Sequence, residues 1–255
     1  MEITEHIEDI KTILSCIDNT TLEGSDTHQK VADLCRKSIE MQDKTKCISP
    51  VAAVCVYPVF VHHAKTILEG SGIHVASVAG AFPSGQSPIE IKLQEIKYAL
   101  DEGADEIDMV ISRGVFLEGD YKRVGDEIAA IKQLCGANLL KVILETGELQ
   151  TPENIYKASM LAMENGADFI KTSTGKISVN ATLEAAEIMV NSISEFYKKT
   201  GKIIGFKAAG GISTPEQALE YFRLAKKIMG PDYVKNQTFR IGASRLTTRL
   251  FSILT

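Results

Sequence analysis

From about residue 50 the chain alternates short apolar runs with longer stretches in which apolar residues recur three and four positions apart. The first pattern suits a strand buried on both faces, the second a helix with one apolar stripe. Eight runs read as strands: 15–21, 52–57, 74–79, 106–111, 139–145, 168–173, 203–208 and 239–242. Helical patterns lie between them at 88–102, 120–135, 152–165, 179–199 and 215–229. Ser87-Pro88, Thr151-Pro152 and Thr214-Pro215 each pair a capping hydroxyl with a proline at the first helical position, where its missing N–H costs nothing.

Strand and helix in regular alternation mean a parallel sheet with helices packed outside it. Eight such units in 255 residues predict a (β/α)8 TIM barrel, an α/β fold, filling 1–255 as a single domain after a short N-terminal helical lead-in. A doubly wound open sheet is the competitor. It lacks support, because no G-x-G-x-x-G opens a helix after the first strand and no Pro/Gly/Ser-rich linker divides the chain.

Composition narrows the function classes. With 44% hydrophobic and 24% charged residues, the chain reads as an ordinary soluble protein. It has no apolar run of membrane-spanning length, and its N-terminus is acidic without a basic region and apolar core. A cytoplasmic protein is expected, with no membrane partner. The formal charge of -5, without a long basic cluster, argues against nucleic acid. Cys16, Cys35, Cys47, Cys55 and Cys135 are odd in number with no C-x-x-C pair, so reduced thiols are expected. His62 and His63 are adjacent and H-E-x-x-H is absent, so no metal is expected.

The chemistry points to two lysines late in their runs, Lys171 in Asp168-Phe-Ile-Lys-Thr-Ser-Thr-Gly175 and Lys207 in Ile203-Ile-Gly-Phe-Lys-Ala-Ala-Gly-Gly211. Two buried ammonium groups on adjacent strands repel, which lowers the pKa of at least one and suits it to attack a carbonyl as a Schiff-base nucleophile. Bringing a lysine from its reference pKa to about 7 takes about 4.6 kcal/mol, within reach of burial plus a neighbouring cation. Alternation puts Phe169, Lys171 and Ser173 on one side of their strand, with Lys171 facing the barrel. Asp108 is a carboxylate in an otherwise apolar strand, able to move a proton through water or to pair with a lysine. Lys141 and Glu145, on one side of the fifth strand, are expected to extend that charged set. Glycines after strands six, seven and eight, at Gly175, Gly210, Gly211 and Gly242, allow close backbone approach to an anion. With Lys176, Ser244 and Arg245 beside them, they mark a phosphate site where barrels commonly place one.

Seven ordered blocks carry a resemblance: Asp18-Asn-Thr-Thr-Leu22, Ala53-Val-Cys-Val-Tyr-Pro58, Glu106-Ile-Asp-Met-Val110, Leu140-Lys-Val-Ile-Leu-Glu-Thr-Gly-Glu-Leu149, Phe169-Ile-Lys-Thr-Ser-Thr-Gly-Lys176, Gly205-Phe-Lys-Ala-Ala-Gly-Gly211 and Arg240-Ile-Gly-Ala-Ser244. Together the chain resembles the deoxyribose-phosphate aldolases, class I Schiff-base enzymes on a (β/α)8 barrel. The resemblance implies reversible cleavage of 2-deoxy-D-ribose 5-phosphate to D-glyceraldehyde 3-phosphate and acetaldehyde, without a cofactor. It implies that Lys171 forms the imine, Lys207 perturbs it and Asp108 works with a water in proton transfer. Asp18, Thr20 and Lys141 fall to the substrate-binding set, with Cys55 near the substrate. Gly175, Lys176, Gly210, Gly211, Gly242 and Ser244 fall to the phosphate.

The chain departs from the family pattern in three places. Many members have proline where Ala208 stands, some have a second serine at Arg245, and some carry a C-terminal tyrosine beyond Phe251-Ser-Ile-Leu-Thr255. A small sugar phosphate and an aldehyde are the expected partners, and a homodimer the expected assembly. Two other readings stand beside this one: another lysine-dependent barrel aldolase, such as a transaldolase-like enzyme acting on a ketose phosphate, and a catalytically silent sugar-phosphate-binding barrel, against which the retention of both lysines and Asp108 argues.

Overall fold

The computed structural model describes residues 6–44 and 51–255. Eight parallel strands close in sequence order: β1 (Ile17–Thr20), β2 (Ala53–Val56), β3 (His74–Ala79), β4 (Glu106–Val110), β5 (Leu139–Ile143), β6 (Phe169–Lys171), β7 (Gly205–Ala209) and β8 (Phe239–Ala243), which returns to β1. Each falls inside its apolar run or within a residue of it. Most of these positions are buried on both faces, as a barrel wrapped in helices requires. The (β/α)8 expectation holds.

Outside the strands run α1 (Ile7–Ser15), α2 (His28–Lys44), α3 (Val61–Ile67), α4 (Ile89–Asp101), α5 (Arg113–Leu117), α6 (Tyr121–Cys135), α7 (Pro152–Glu164), α8 (Leu183–Thr200), α9 (Pro215–Met229) and α10 (Leu246–Leu254). Thr151 Oγ1 accepts from Asn154 N–H, and Thr214 caps α9 in a reciprocal box with Gln217. Two boundaries differ from expectation. Ser87 caps nothing: Pro88 itself is the N-cap, its ψ of 146° still extended, so α4 starts one residue later without a side-chain acceptor. The helix expected from 179 begins at Leu183, where the Thr182 hydroxyl accepts from Ala185 N–H. Thr182 supplies the oxygen that a cap needs, and Val179 cannot. Among the described residues no helix is long and apolar enough to cross a membrane. Cys47 lies outside them, and Cys16, Cys35, Cys55 and Cys135 are buried free thiols.

The larger hydrophobic core is the shell between strands and helices, where Ile107, Ile170 and Phe206 point outward. Inside the barrel a smaller apolar set, Ala53, Cys55, Ala76 and Val78, comes from β2 and β3, and most of the rest of the lumen is charged. Phe169 fills the space beside β7. A Cβ on its register partner Gly205 would stand 2.3 Å from the Phe169 ring, so glycine is required there. Gly205→Ala should therefore destabilise by about 1–3 kcal/mol through overpacking. A urea midpoint equal to that of the parent chain would show that the ring can turn aside without cost.

Candidate active site

Inward-facing residues of β1 and of β4 to β8 place seven charged side chains in the lumen: Asp18, Glu106, Asp108, Lys141, Lys171, Lys207 and Arg240, all at most 4% exposed. Register explains the pairing. Asp108 is opposite Lys141, Lys171 opposite Lys207 and Lys207 opposite Arg240. Asp108 is the hub, its Oδ1 accepting from Lys141 Nζ at 2.8 Å and its Oδ2 from both Lys171 Nζ and Lys207 Nζ at 2.7 Å. The two lysines expected to repel thus share one carboxylate oxygen.

Four basic side chains face three carboxylates, which leaves one surplus positive charge in a buried site if all are protonated. A buried charge without its own partner is costly, and shedding one proton relieves the imbalance. The partners decide which group sheds it. Lys207 is held by Asp108 and Asp18, Lys141 by Asp108 and Glu106, and Arg240 by Asp18 at 2.6 Å and Glu106 at 2.8 Å. Among the described residues Lys171 has Asp108 alone. Its pKa is accordingly lowered, first by burial and then by the Lys207 ammonium, against the pull of Asp108. Lys207 and Lys141 move the other way, because their carboxylates outweigh burial. Asp108 stays ionised, with Lys141 first among the three lysines around it holding its pKa well below the usual range against its burial.

Lys171 also lines a cavity of 640 Å³ at the C-terminal ends of the strands. Thr20, Gly175, Lys176, Gly210, Gly211, Gly242 and Ser244 line it as well. No acceptor among the described residues takes the backbone N–H of Gly175, Gly210, Gly211 or Ser244. Those donors are available to an anion. Gly242 has a second role: a Cβ there would approach Lys207 Cε to 3.2 Å, so the glycine gives that side chain its room. Lys176 reaches across the mouth to Glu23 at 3.0 Å, and Lys30, Lys37 and Arg245 add positive charge to the wall.

Asp18, Asp108, Lys141, Lys207 and Cys55 lie below the cavity, not in its lining. Burial raises the Cys55 thiol to about 11, and the Asp108 carboxylate beside it adds to the rise. Glu145 does not join the lumen network as expected. Beyond the end of β5 its backbone turns left-handed (φ 57°), and the carboxylate faces Thr174 and Arg113. Glu106 and Arg240 had no role assigned from the sequence. The signal was there in the two-residue period, since Glu106 shares a strand face with Asp108, as Arg240 does with Gly242. Half-exposed His74 bonds Glu106 at the opposite end of the strands, which raises the imidazole pKa.

A family model described as DeoC/LacD family aldolase matches residues 12–244. A deoxyribose-phosphate aldolase of Homo sapiens is 46% identical over 243 residues, 90% of this chain and 76% of its own length. One of Agrobacterium fabrum is 43% identical over 256 residues, 100% of this chain and 95% of its own. The solved deoxyribose phosphate aldolase of Aeropyrum pernix, described as a tetramer, is 25% identical with a TM-score of 0.75, covering 98% of this chain and 96% of its own. With a buried lysine whose pKa its surroundings lower, a barrel that presents it to an open cavity and a family match across nine-tenths of the sequence, the chain belongs to the DeoC/LacD family of class I aldolases.

Proposed function

We propose that this aldolase cleaves 2-deoxy-D-ribose 5-phosphate reversibly to D-glyceraldehyde 3-phosphate and acetaldehyde, with Lys171 as the imine-forming residue. The neutral Lys171 amine adds to the C1 aldehyde of the open-chain sugar, and loss of water leaves an iminium. Removal of the C3 hydroxyl proton lets the C2–C3 bond break, its electron pair flowing into the iminium to form an enamine. Glyceraldehyde 3-phosphate departs. Protonation at C2 and hydrolysis then release acetaldehyde and the free amine. Asp108 and the protonated Lys207 are the proton-handling pair beside that nitrogen, and Asp18, Glu106, Arg240 and Lys141 hold them in place. Gly175, Gly210, Gly211, Gly242 and Ser244 cradle the phosphate with Lys176 at its side, and Thr20 borders the sugar. The observation that carries the reading is Lys171, a cavity-lining lysine whose one carboxylate partner among the described residues, Asp108, is shared with Lys141 and Lys207.

Incubation with deoxyribose 5-phosphate or acetaldehyde and borohydride should label Lys171 irreversibly, read by peptide mass mapping, and EDTA should leave turnover unchanged. Label confined to Lys207 would reverse the roles of the two lysines. Binding of the sugar phosphate without label or turnover would favour a silent barrel. A homodimer is the proposed assembly, and light scattering reporting a mass other than twice that of the chain would refute it.

A further inference from the structure

Glu145 is a fully buried carboxylate outside the lumen network, at a left-handed backbone position that a residue with a side chain occupies only when its surroundings hold it there. Three donors converge on it. Thr174 N–H reaches Oε1 at 3.1 Å, Thr174 Oγ1 reaches Oε2 at 2.5 Å, and Arg113 Nη1 reaches Oε2 at 3.4 Å. Arg113 is fixed in turn, donating to the Pro83 carbonyl at 2.9 Å and through Nε to Glu148 at 2.6 Å. The result is a polar belt over the loops after β3, β4, β5 and β6, ending on Thr174. That residue opens the Thr174-Gly175-Lys176 turn of the cavity wall, and its hydroxyl also accepts the Lys176 N–H at 3.1 Å. Gly175 stands at φ 82° with Gly210 beside it, so the turn's position also sets the spacing of the two glycine loops.

A carboxylate this near an anion site would repel the ligand unless its charge were used and compensated. Here Arg113, which it shares with Glu148, offsets part of that charge, and the Thr174 hydroxyl proton is committed to it, which leaves that oxygen's lone pair for Lys176 N–H. We propose that Glu145, braced by Arg113, is a positioning residue for the phosphate cradle: it fixes Thr174 so that the Gly175 backbone faces the substrate's phosphate. The inference rests on the proposed reading of the cavity as a phosphate site.

Selectivity for the phosphate tests it, measured as kcat/KM on deoxyribose 5-phosphate against kcat/KM on unphosphorylated deoxyribose. Glu145→Ala should lower that ratio by about 10-fold or more while kcat/KM on deoxyribose stays within about 2-fold, because the remote binding group alone loses its frame. Thr174→Val, which removes only the hydroxyl, should reproduce most of the drop, and Thr174→Ser should restore the parent ratio. Should Glu145→Ala fail to fold, the threonine pair decides. An unchanged ratio in the folded variants, or equal losses on both substrates, would overturn the positioning role. A parent enzyme that cleaves deoxyribose 5-phosphate no better than deoxyribose would instead overturn the phosphate reading itself.

Discussion

Lys171→Met is expected to abolish borohydride trapping and to lower kcat by at least about 10^4-fold, the scale on which loss of a covalent nucleophile acts. Methionine matches the lysine stem in length and lacks only the amine, so the site keeps its shape. Stability should move the other way. In the parent lumen a fourth basic group, Lys171, must shed its proton to balance the three carboxylates, and the substitution leaves Lys141, Lys207 and Arg240 facing Asp18, Glu106 and Asp108 without that cost. Balanced buried charges cost less than an unbalanced set, so the thermal midpoint should hold or rise. Activity lost together with a lower midpoint would mean that Lys171 is a structural ion-pair member. Residual turnover above about one part in a hundred would move the nucleophile to Lys207.

What the sequence disclosed divides by range. The strands were legible because each is an apolar run of strand length between turn residues, and the inward direction of Lys171 followed from the two-residue period. The register that puts Lys171 against Lys207 also follows from adjacent strands in a barrel. The contacts that set the pKa values did not follow. Arg240 meets Asp18 across 222 positions and Glu106 across 134, and no local pattern encodes such a pairing before the barrel closes. Asp18 falls to the substrate-binding set by resemblance alone, yet it is fully buried, paired with Lys207 and Arg240, and outside the cavity lining. Part of the cavity wall escaped for another reason. Lys30, Asp33, Leu34 and Lys37 belong to α2, a helix outside the segments read as helical. Glu145 was misplaced because strand alternation was carried past the end of β5, where the chain turns left-handed and the period no longer applies.

Lys207→Leu should shift the acid limb of kcat/KM to higher pH and cost about 100-fold at neutral pH. The sign follows from what Lys171 gains. Its pKa is lowered by burial and by the Lys207 ammonium, with Asp108 opposing. Taking Lys207 away removes the like charge and also frees Asp108 Oδ2 to act on Lys171 alone. Both changes favour the protonated amine. So does the charge balance, since three cations would then face three carboxylates and no proton would need to leave. A higher Lys171 pKa leaves less of the neutral amine at any pH below it, tenfold less for each unit by which the acid limb moves, so the displacement of the limb sets the size of the loss. Two contributions can then be separated. At a pH high enough to deprotonate Lys171 in both enzymes, the loss caused by the missing field should disappear. Any deficit that persists there measures Lys207 as a proton donor during imine formation, for which about 10^2–10^4-fold is the usual range. A profile that falls uniformly at every pH would assign Lys207 wholly to proton transfer and leave burial alone to set the Lys171 pKa.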